Sequence, residues 1–537
     1  MSNDVKRAYF YAPTTRPIFI EIPAEDREPG DEGFVGQLNL SLYGTRDAAK
    51  NWSKKFTEVM TGCGFVYGKT SPCNFYNADR QISVTVHGDD FTSTGRARDL
   101  EWLKTSLENA FEIKTELLGP DLNKHSQEIR ILNRVLTWSQ AEITYEADQR
   151  HAEILISELE MCGAKPVTTP GAREEVTKAS IVEVDKDGKL QNNIDEESSG
   201  GKVLDKAEAT RYRAMAARSN FLAQDRADVQ FAVKEVARRM ATPREGDWAL
   251  LKRLARYLVG APRAVYGYGW QTDGETNNLD TYVDSDWGGC KGTRRSTSGG
   301  VIMNGYHVLK TWSSTQATVS LSSAEAELYA LVKGASQTLG MMGILRDLGQ
   351  ETRATINSDA SAALGIIQRQ GVGKLRHIST QYLWIQEKTR NEEFDISKVP
   401  GEDNPADILT KNVNADLIAR HLDFMSVRVG TDRAEKAPQL NSIIGDKEGH
   451  DDDHWIKTTT GVMRTHQHSS RTELFTPRRI AGAPPAKILT STRITRGRYE
   501  DGNREQFVIT DSWRARATAH RTLGRKWKGS TEFIYFQ

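Results

Sequence analysis

Four carboxylates in the stretch 279–415 have the residue types and positions that metal-dependent chemistry needs: Asp284, Glu327 (with Glu325 its near rival), Asp359 and Asp407. Asp284 falls in a strand-like run, TYVDSDW, and Glu327 near the start of a long helical pattern. Asp359 ends the short run ATINSD, and Asp407 falls in the opening turn of a helix. Strand ends and helix starts let side chains converge without burying charge in a core. Carboxylates gathered this way repel one another unless divalent cations neutralise them. Two Mg²⁺ ions about 4 Å apart would then activate a water and stabilise the leaving oxygen of a phosphodiester. Spacing alone does not separate this reading from four ordinary caps or surface charges.

A second set lies near the start. ISVTVHGDDFTST reads as strand, tight Gly-Asp turn, strand, which projects Asp89 and Asp90 from a hairpin tip. Asp4 stands upstream, directly before an amphipathic run. Three carboxylates placed so suit two-metal nucleotidyl transfer, and a solvated hairpin turn would leave the same trace.

The elements that must position these groups are legible around them. Residues 1 to about 165 alternate strands and helices: IFIEIP and ISVTVHG read as strands. AAKNWSKKFTEVMTGCG and ARDLEWLKTSLENAF read as helices. From 279 the order is strand, a hairpin around Asn304-Gly305, and a helix over 322–349 with the stripe Leu328, Leu331, Ala335, Leu339, Met342. Strand ATINSD, helix SAALGIIQRQ and strand FDISKVP follow, then GEDNPADILTK with Asn404 as N-cap, Pro405 first in the helix and Asp407 third. That order makes a mixed sheet flanked by helices.

The chain has 537 residues, enough for three or four domains. Lys+Arg and Asp+Glu are each 72, so the net charge is +0, which at first sight speaks against nucleic acid. Mean hydropathy is -0.58. No run approaches the roughly 18 apolar residues of a membrane helix, and MSNDVKRAYF has no apolar signal core, so a cytoplasmic or nuclear location without a membrane partner is expected. The four cysteines, Cys63, Cys73, Cys162 and Cys290, form no CxxC pair and support neither a disulfide scaffold nor a zinc site. Residues 171–208 read as a charged flexible linker. Residues 461–530 carry fifteen Lys/Arg against five Asp/Glu and read as a disordered basic tail.

Taken as ordered words, YVDSDW, RRSTSG, WSSTQATVSLSSAEAELYAL, NSDASAAL, RHISTQYLWIQE and VPGEDNPADILTK resemble the ribonuclease H domain of copia-type retrotransposon Pol polyproteins. The resemblance implies that Asp284, Glu327, Asp359 and Asp407 are its metal-binding catalytic set. The helical pattern leaves Glu325 and Glu327 open, and the family's Glu-(Leu/Tyr)-x-Ala favours Glu327. VPGEDNPAD lacks the His of retroviral relatives, as copia-type domains commonly do. DVKRAYF, LYGTRDAAKNW, SPCNFY, HGDD, FEIKTELLG and KPVTTPG are similar to the palm of copia-type reverse transcriptases. That likeness implies Asp4, Asp89 and Asp90 as metal ligands and Tyr9 as the gate against ribonucleotide 2′-hydroxyls. Asp47 stands where the family usually has Gln, and His87-Gly88 where it has Tyr-Val. Only three residues precede Asp4, so the expectation is a truncated palm without fingers and with impaired synthesis.

The implied architecture is α/β (α+β). It comprises a partial palm and thumb over 1–170, the linker 171–208, a helical connection 209–278, an RNase H-like mixed-sheet domain 279–415 and a mostly disordered basic tail 416–537. Trp248 and Tyr257 in the connection could face nucleic acid or be buried. Arg294 and Arg295 are candidate phosphate contacts. The implied partners are an RNA/DNA hybrid, an RNA template and a DNA primer; the cofactor is Mg²⁺, two per active site, with Mn²⁺ a possible substitute. A decayed or domesticated remnant that only binds nucleic acid is the rival.

Overall fold

A computed structural model of the chain describes residues 1–22, 26–27, 29–31, 34–172, 201–272, 274, 277–373 and 375–439, with the backbone of three short strands beyond. The chain divides into two compact units, residues 1–5 with 60–444, and residues 6–59 with 445–537. The expected palm domain is therefore shared between units.

In the first unit, β1 (Ser2–Val5), β4 (Val66–Tyr67), β5 (Asn74–Asn77), β6 (Ile82–His87), β7 (Asp90–Thr94) and β8 (Ile113–Glu116) form one sheet. Its order is β4-β5-β6-β7-β1-β8, and helix α2 (Ala97–Glu108) accompanies it. Alternation explains β6: Ile82, Val84 and Val86 are buried between Ser83, Thr85 and His87. The β6–β7 hairpin closes through His87 opposite Asp90, with Gly88 at φ 68°. That left-handed conformation favours glycine, so the predicted Gly-Asp turn is present.

The second unit contains β2 (Phe19–Ile20) and β3 (Phe34–Leu38), with β19 (Phe475–Arg479) alongside β3, and most of helix α1 (Ala48–Gly62). Strands β20 (Ile494–Thr495) and β21 (Val508–Ile509) pair with each other.

A second five-stranded sheet in the first unit is antiparallel throughout, in the order β18-β12-β11-β10-β9. Its strands are β9 (Glu128–Ile131), β10 (Arg134–Trp138), β11 (Glu142–Glu146), β12 (Arg263–Gly269) and β18 (Val427–Gly430). It draws on three of the expected domains at once. Helices α3 (Arg150–Glu158), α4 (Lys206–Ala223), α5 (Gln230–Arg238) and α6 (Trp248–Gly260) share a core that includes Leu155, Tyr212, Val233, Leu251 and Leu254. Tyr257 belongs to that core and donates to Asp228 at 2.9 Å, so of its two readings the buried one holds. The start of the tail, expected to be mostly disordered over 416–537, supplies helix α10 (Ala415–Phe424) and β18. Apart from β19, β20 and β21, residues 440–537 lie outside the described residues, as does 173–200 of the linker.

The remaining sheet holds β13 (Asn278–Ser285), β14 (Thr297–Asn304), β15 (His307–Thr315), β16 (Arg353–Ser358) and β17 (Asp395–Lys398), ordered β15-β14-β13-β16-β17. The first three strands are antiparallel; β16 and β17 join parallel. Helices α7 (Ser323–Asp347), α8 (Ser361–Gln368) and α9 (Trp384–Arg390) cover one face over Leu279, Val283, Ile302, Leu328, Leu331 and Ile356. This is the mixed-sheet, RNase H-like arrangement expected from the sequence. A short 3-10 turn (Pro405–Leu409), α10, β12 and β18 pack on the other face, against Val301, Met303 and Val308.

Candidate active site

Asp284 sits one residue from the end of β13, opposite Gly299 of β14. A side chain at Gly299 would place its first carbon 2.6 Å from Thr410 Cγ2 and 2.9 Å from Leu409 Cβ. The bare backbone there lets the Pro405–Leu409 turn lie across the sheet beside Asp284. Asn404 fixes the turn: its Nδ2 donates to Val283 O at 2.9 Å, and its Oδ1 accepts from Ala406 N at 3.2 Å. Asp407 is thereby brought next to Asp284.

Glu327 arrives from the opposite side. At Gly334 a first side-chain carbon would fall 2.5 Å from Val283 Cγ1, so α7 approaches β13 closely. Glu327 precedes Gly334 by seven residues, two helical turns, and so shares its face. Thr281 and Thr338 hydroxyls meet at 2.6 Å further along the same contact. Asp359 follows directly on β16, parallel neighbour of β13.

Among the described residues, Asp284, Glu327 and Asp359 form the one group of three potential metal-ligating side chains whose ligand atoms all lie within 4.8 Å of one another. Asp407 borders this group through Asp284. Glu325 is excluded from it. Tyr329 donates to Glu325 at 2.6 Å, Leu321 N at 2.9 Å, and His377 Nε2 lies 2.9 Å away. These partners hold Glu325 below the usual carboxylate range despite its burial, as a clasp at the start of α7.

The electrostatics mark the triad as unfinished. Burial first, then repulsion from Asp284 and Asp359, pushes the Glu327 carboxyl up to about 9. Burial and Asp284 also raise Asp359, and push Asp407 up to about 6. Glu327 Oε1 accepts from Ser285 N at 3.2 Å, whereas Oε2 is buried with no hydrogen-bond partner. A buried orphan oxygen facing two further carboxylates fits a hard divalent cation with oxygen ligands.

Three further residues, not picked out from the sequence, complete the surroundings. Gln316 Nε2 donates to Ala326 O at 2.8 Å and Ser298 Oγ at 3.0 Å, tying β15 and β14 to the start of α7. Thr410 donates to Asp284. Lys411 Nζ lies 2.7 Å from Asp407 Oδ1 and 3.7 Å from Asp284 Oδ2. The motif ADILTK carries the only sequence signal for the last two, at three and four residues beyond Asp407. Arg294 and Arg295 are exposed on the loop between β13 and β14, with Arg294 at φ 55°.

The palm set is looser. Asp4 lies opposite Asp90 across β1 and β7, and Val5 N donates to Asp89 O at 3.0 Å. Burial, then Asp89 and Asp4, pushes Asp90 up to about 6; Asp4 and Asp89 are exposed. Tyr9 belongs to the second unit, with its ring 4.5 Å from that of Tyr43. Asp47, in place of the family's Gln, accepts from Arg16 at 3.1 Å.

A family model described as reverse transcriptase (RNA-dependent DNA polymerase) matches residues 2–172. The Pol polyprotein of transposon TNT 1-94 from Nicotiana tabacum is 25% identical over 418 residues, 76% of this chain and 29% of that protein. That of transposon RE1 from Arabidopsis thaliana is 26% identical over 417 residues, 76% and 26% of the two lengths. Over 76% of its length this chain is similar to copia-type Pol polyproteins, and over residues 2–172 to the reverse transcriptase family. The chain spans under a third of the length of these two relatives. A foamy viral protease–reverse transcriptase solved with an RNA/DNA hybrid shares 9% identity with it at a TM-score of 0.40, covering 82% of this chain and 46% of that one. No described helix of the chain is long and apolar enough to cross a membrane.

Proposed function

We propose that the chain cleaves the RNA strand of RNA/DNA hybrids in a Mg²⁺-dependent reaction at Asp284, Glu327, Asp359 and Asp407. The observation that carries this is the convergence of Asp284, Glu327 and Asp359, with one buried Glu327 oxygen lacking a hydrogen-bond partner. Asp284, Glu327, Asp359 and Asp407 would hold two Mg²⁺, or Mn²⁺ in their place, which when bound activate a water and stabilise the leaving oxygen of the phosphodiester. Asp284 stands between the other carboxylates and is shared by both halves of the site. Thr410, Asn404 and Gly299 hold that arrangement in place, and Ser285 N fixes the orientation of Glu327. Arg294 and Arg295, exposed on a neighbouring loop, would grip the hybrid's phosphates. Recognition by shape and 2′-hydroxyls would give little sequence preference.

The test is cleavage of a labelled hybrid with Mg²⁺ by the wild type and by Asp359→Asn. Cleavage by the wild type alone is expected. Equal activity in both would sink the site assignment, and activity in neither would favour a chain that only binds nucleic acid.

A specific observation favours a second activity. Asp4 and Asp90 face each other across β1 and β7, and burial, then Asp89 and Asp4, raises Asp90. Asp4, Asp89 and Asp90 would hold metals for RNA-templated extension of a DNA primer. Primer extension that Asp90→Asn abolishes would support this; extension unaffected by it would not.

A further inference from the structure

The site is unevenly neutralised. On one side Asp284, Glu327 and Asp359 meet, and among the described residues no ammonium stands at ion-pair distance from Glu327 or Asp359, on which Lys411 acts only from further away. On the other, the Lys411 ammonium stands 2.7 Å from Asp407 and 3.7 Å from Asp284, bridging two carboxylates that otherwise repel each other. Lys411 follows Asp407 by four residues, so its stem returns over the turn that carries Asp407. Its side chain is 45% exposed, which gives the ammonium a way out to solvent.

We infer that Lys411 is a built-in counter-cation for the Asp284–Asp407 half of the site, which a divalent ion must displace to bind there. The inference rests on the metal-binding reading proposed above. Electrostatics gives it direction. A unit positive charge within 4 Å of two carboxylates satisfies much of what a metal would satisfy, so the divalent ion gains only the difference. The Glu327 half has no ammonium at ion-pair distance, whereas Lys411 stands 2.7 Å from Asp407, so the Glu327 half fills first. Without metal, the ammonium keeps Asp284 and Asp407 together; with metal, it is released towards solvent or an approaching phosphate. The two halves therefore bind divalent ions with unequal affinity even though both are built from carboxylates.

The test uses the full chain without nucleic acid. Free Mn²⁺ is followed by electron paramagnetic resonance during titration of the wild type, Lys411→Gln, Lys411→Arg and Asp359→Asn, and metal-free melting temperatures are recorded alongside. The wild type should show one tighter and one weaker Mn²⁺ site. Lys411→Gln should tighten the weaker site by at least about tenfold and lower the metal-free melting temperature. Lys411→Arg, which keeps the charge, should keep both near wild type. An isotherm of Lys411→Gln that superimposes on the wild type, or weakens, would overturn the inference. If that happened while Asp359→Asn still lost the tighter site, the metal-binding reading would survive alone. Absence of Mn²⁺ binding by the wild type would remove both.

Discussion

At the residue scale the decisive group is Glu327. Its carboxyl is pushed from an ordinary 4.5 up to about 9 by burial and by Asp284 and Asp359. The folded chain therefore holds a proton that the unfolded chain releases above about pH 4.5. Stability of the metal-free protein must fall as pH rises through the window from about 4.5 to about 9, because there the native state binds more protons than the unfolded state. Glu327→Gln removes the titration. Melting temperatures of metal-free protein measured from pH 6 to pH 9 should fall more steeply for the wild type than for Glu327→Gln, with the variant the more stable at pH 8. Parallel curves would contradict the assigned environment of Glu327. The choice between Glu325 and Glu327 shows what the sequence holds back. Apolar periodicity placed both on the flanks of the α7 stripe. The family pattern favours Glu327, and the structure gives the packing reason: at Gly334, seven residues beyond Glu327, the helix presses on Val283. A small residue marks a close approach only once the strand opposite is known. Glu325 lies about 200° around the helix from Glu327 by residue spacing, and meets Tyr329 and His377 instead.

At the element scale, the site depends on a turn laid across a sheet. Strands β13 to β17 and helix α7 were legible because alternation, the Asn304-Gly305 turn and a serine cap at Ser322 all agree locally. The Pro405–Leu409 element was legible as a capped start, with Asn404 in the capping position. Its seat on Gly299 was not, because nothing local to STSGG states which element covers it. The same holds for β18: VRVG is too short to announce a strand, and β12 supplies the ladder that makes it one. Gly299→Ala tests the seat. The new methyl group would meet Thr410 and Leu409, forcing the turn off Asp284 at a cost of about 1–3 kcal/mol. The melting temperature should drop, and hybrid cleavage should fall with Asp284 itself intact. A variant as stable and as active as the wild type would contradict the packing described.

At the scale of the whole molecule, the RNase H-like domain is fastened to the palm sheet. The last residue of α7, Asp347, accepts from the backbone N–H groups of Lys69, Thr70 and Ser71 at 2.9, 2.8 and 2.7 Å. Ser83 Oγ adds a bond to Leu348 O at 2.8 Å, and Gly349 lies against the Tyr76 ring. Three N–H donors on one carboxylate make a directional latch, and no sequence pattern could reveal it because its halves lie more than 270 residues apart. Asp347→Ala should cost about 1–3 kcal/mol and make the linkage between the domains more open to limited proteolysis. Unchanged melting and digestion would show that the latch carries no weight. The net charge of +0 also looks different at this scale. It averages clustered site carboxylates against basic stretches such as residues 461–530, with fifteen Lys/Arg to five Asp/Glu. Opposite charges confined to different stretches cancel in the sum, so the balance of 72 against 72 does not argue against nucleic acid.

The most direct measurement is cleavage of an RNA/DNA hybrid by the full chain, with and without Mg²⁺, beside Asp359→Asn and Glu327→Gln. Endonucleolytic cleavage of the RNA strand is predicted that requires Mg²⁺ and falls at least about a hundredfold in both variants, on the scale of losing a group that acts only in the transition state. Wild-type cleavage that persists without divalent ions, or that either variant retains in full, would contradict a metal site built on these carboxylates.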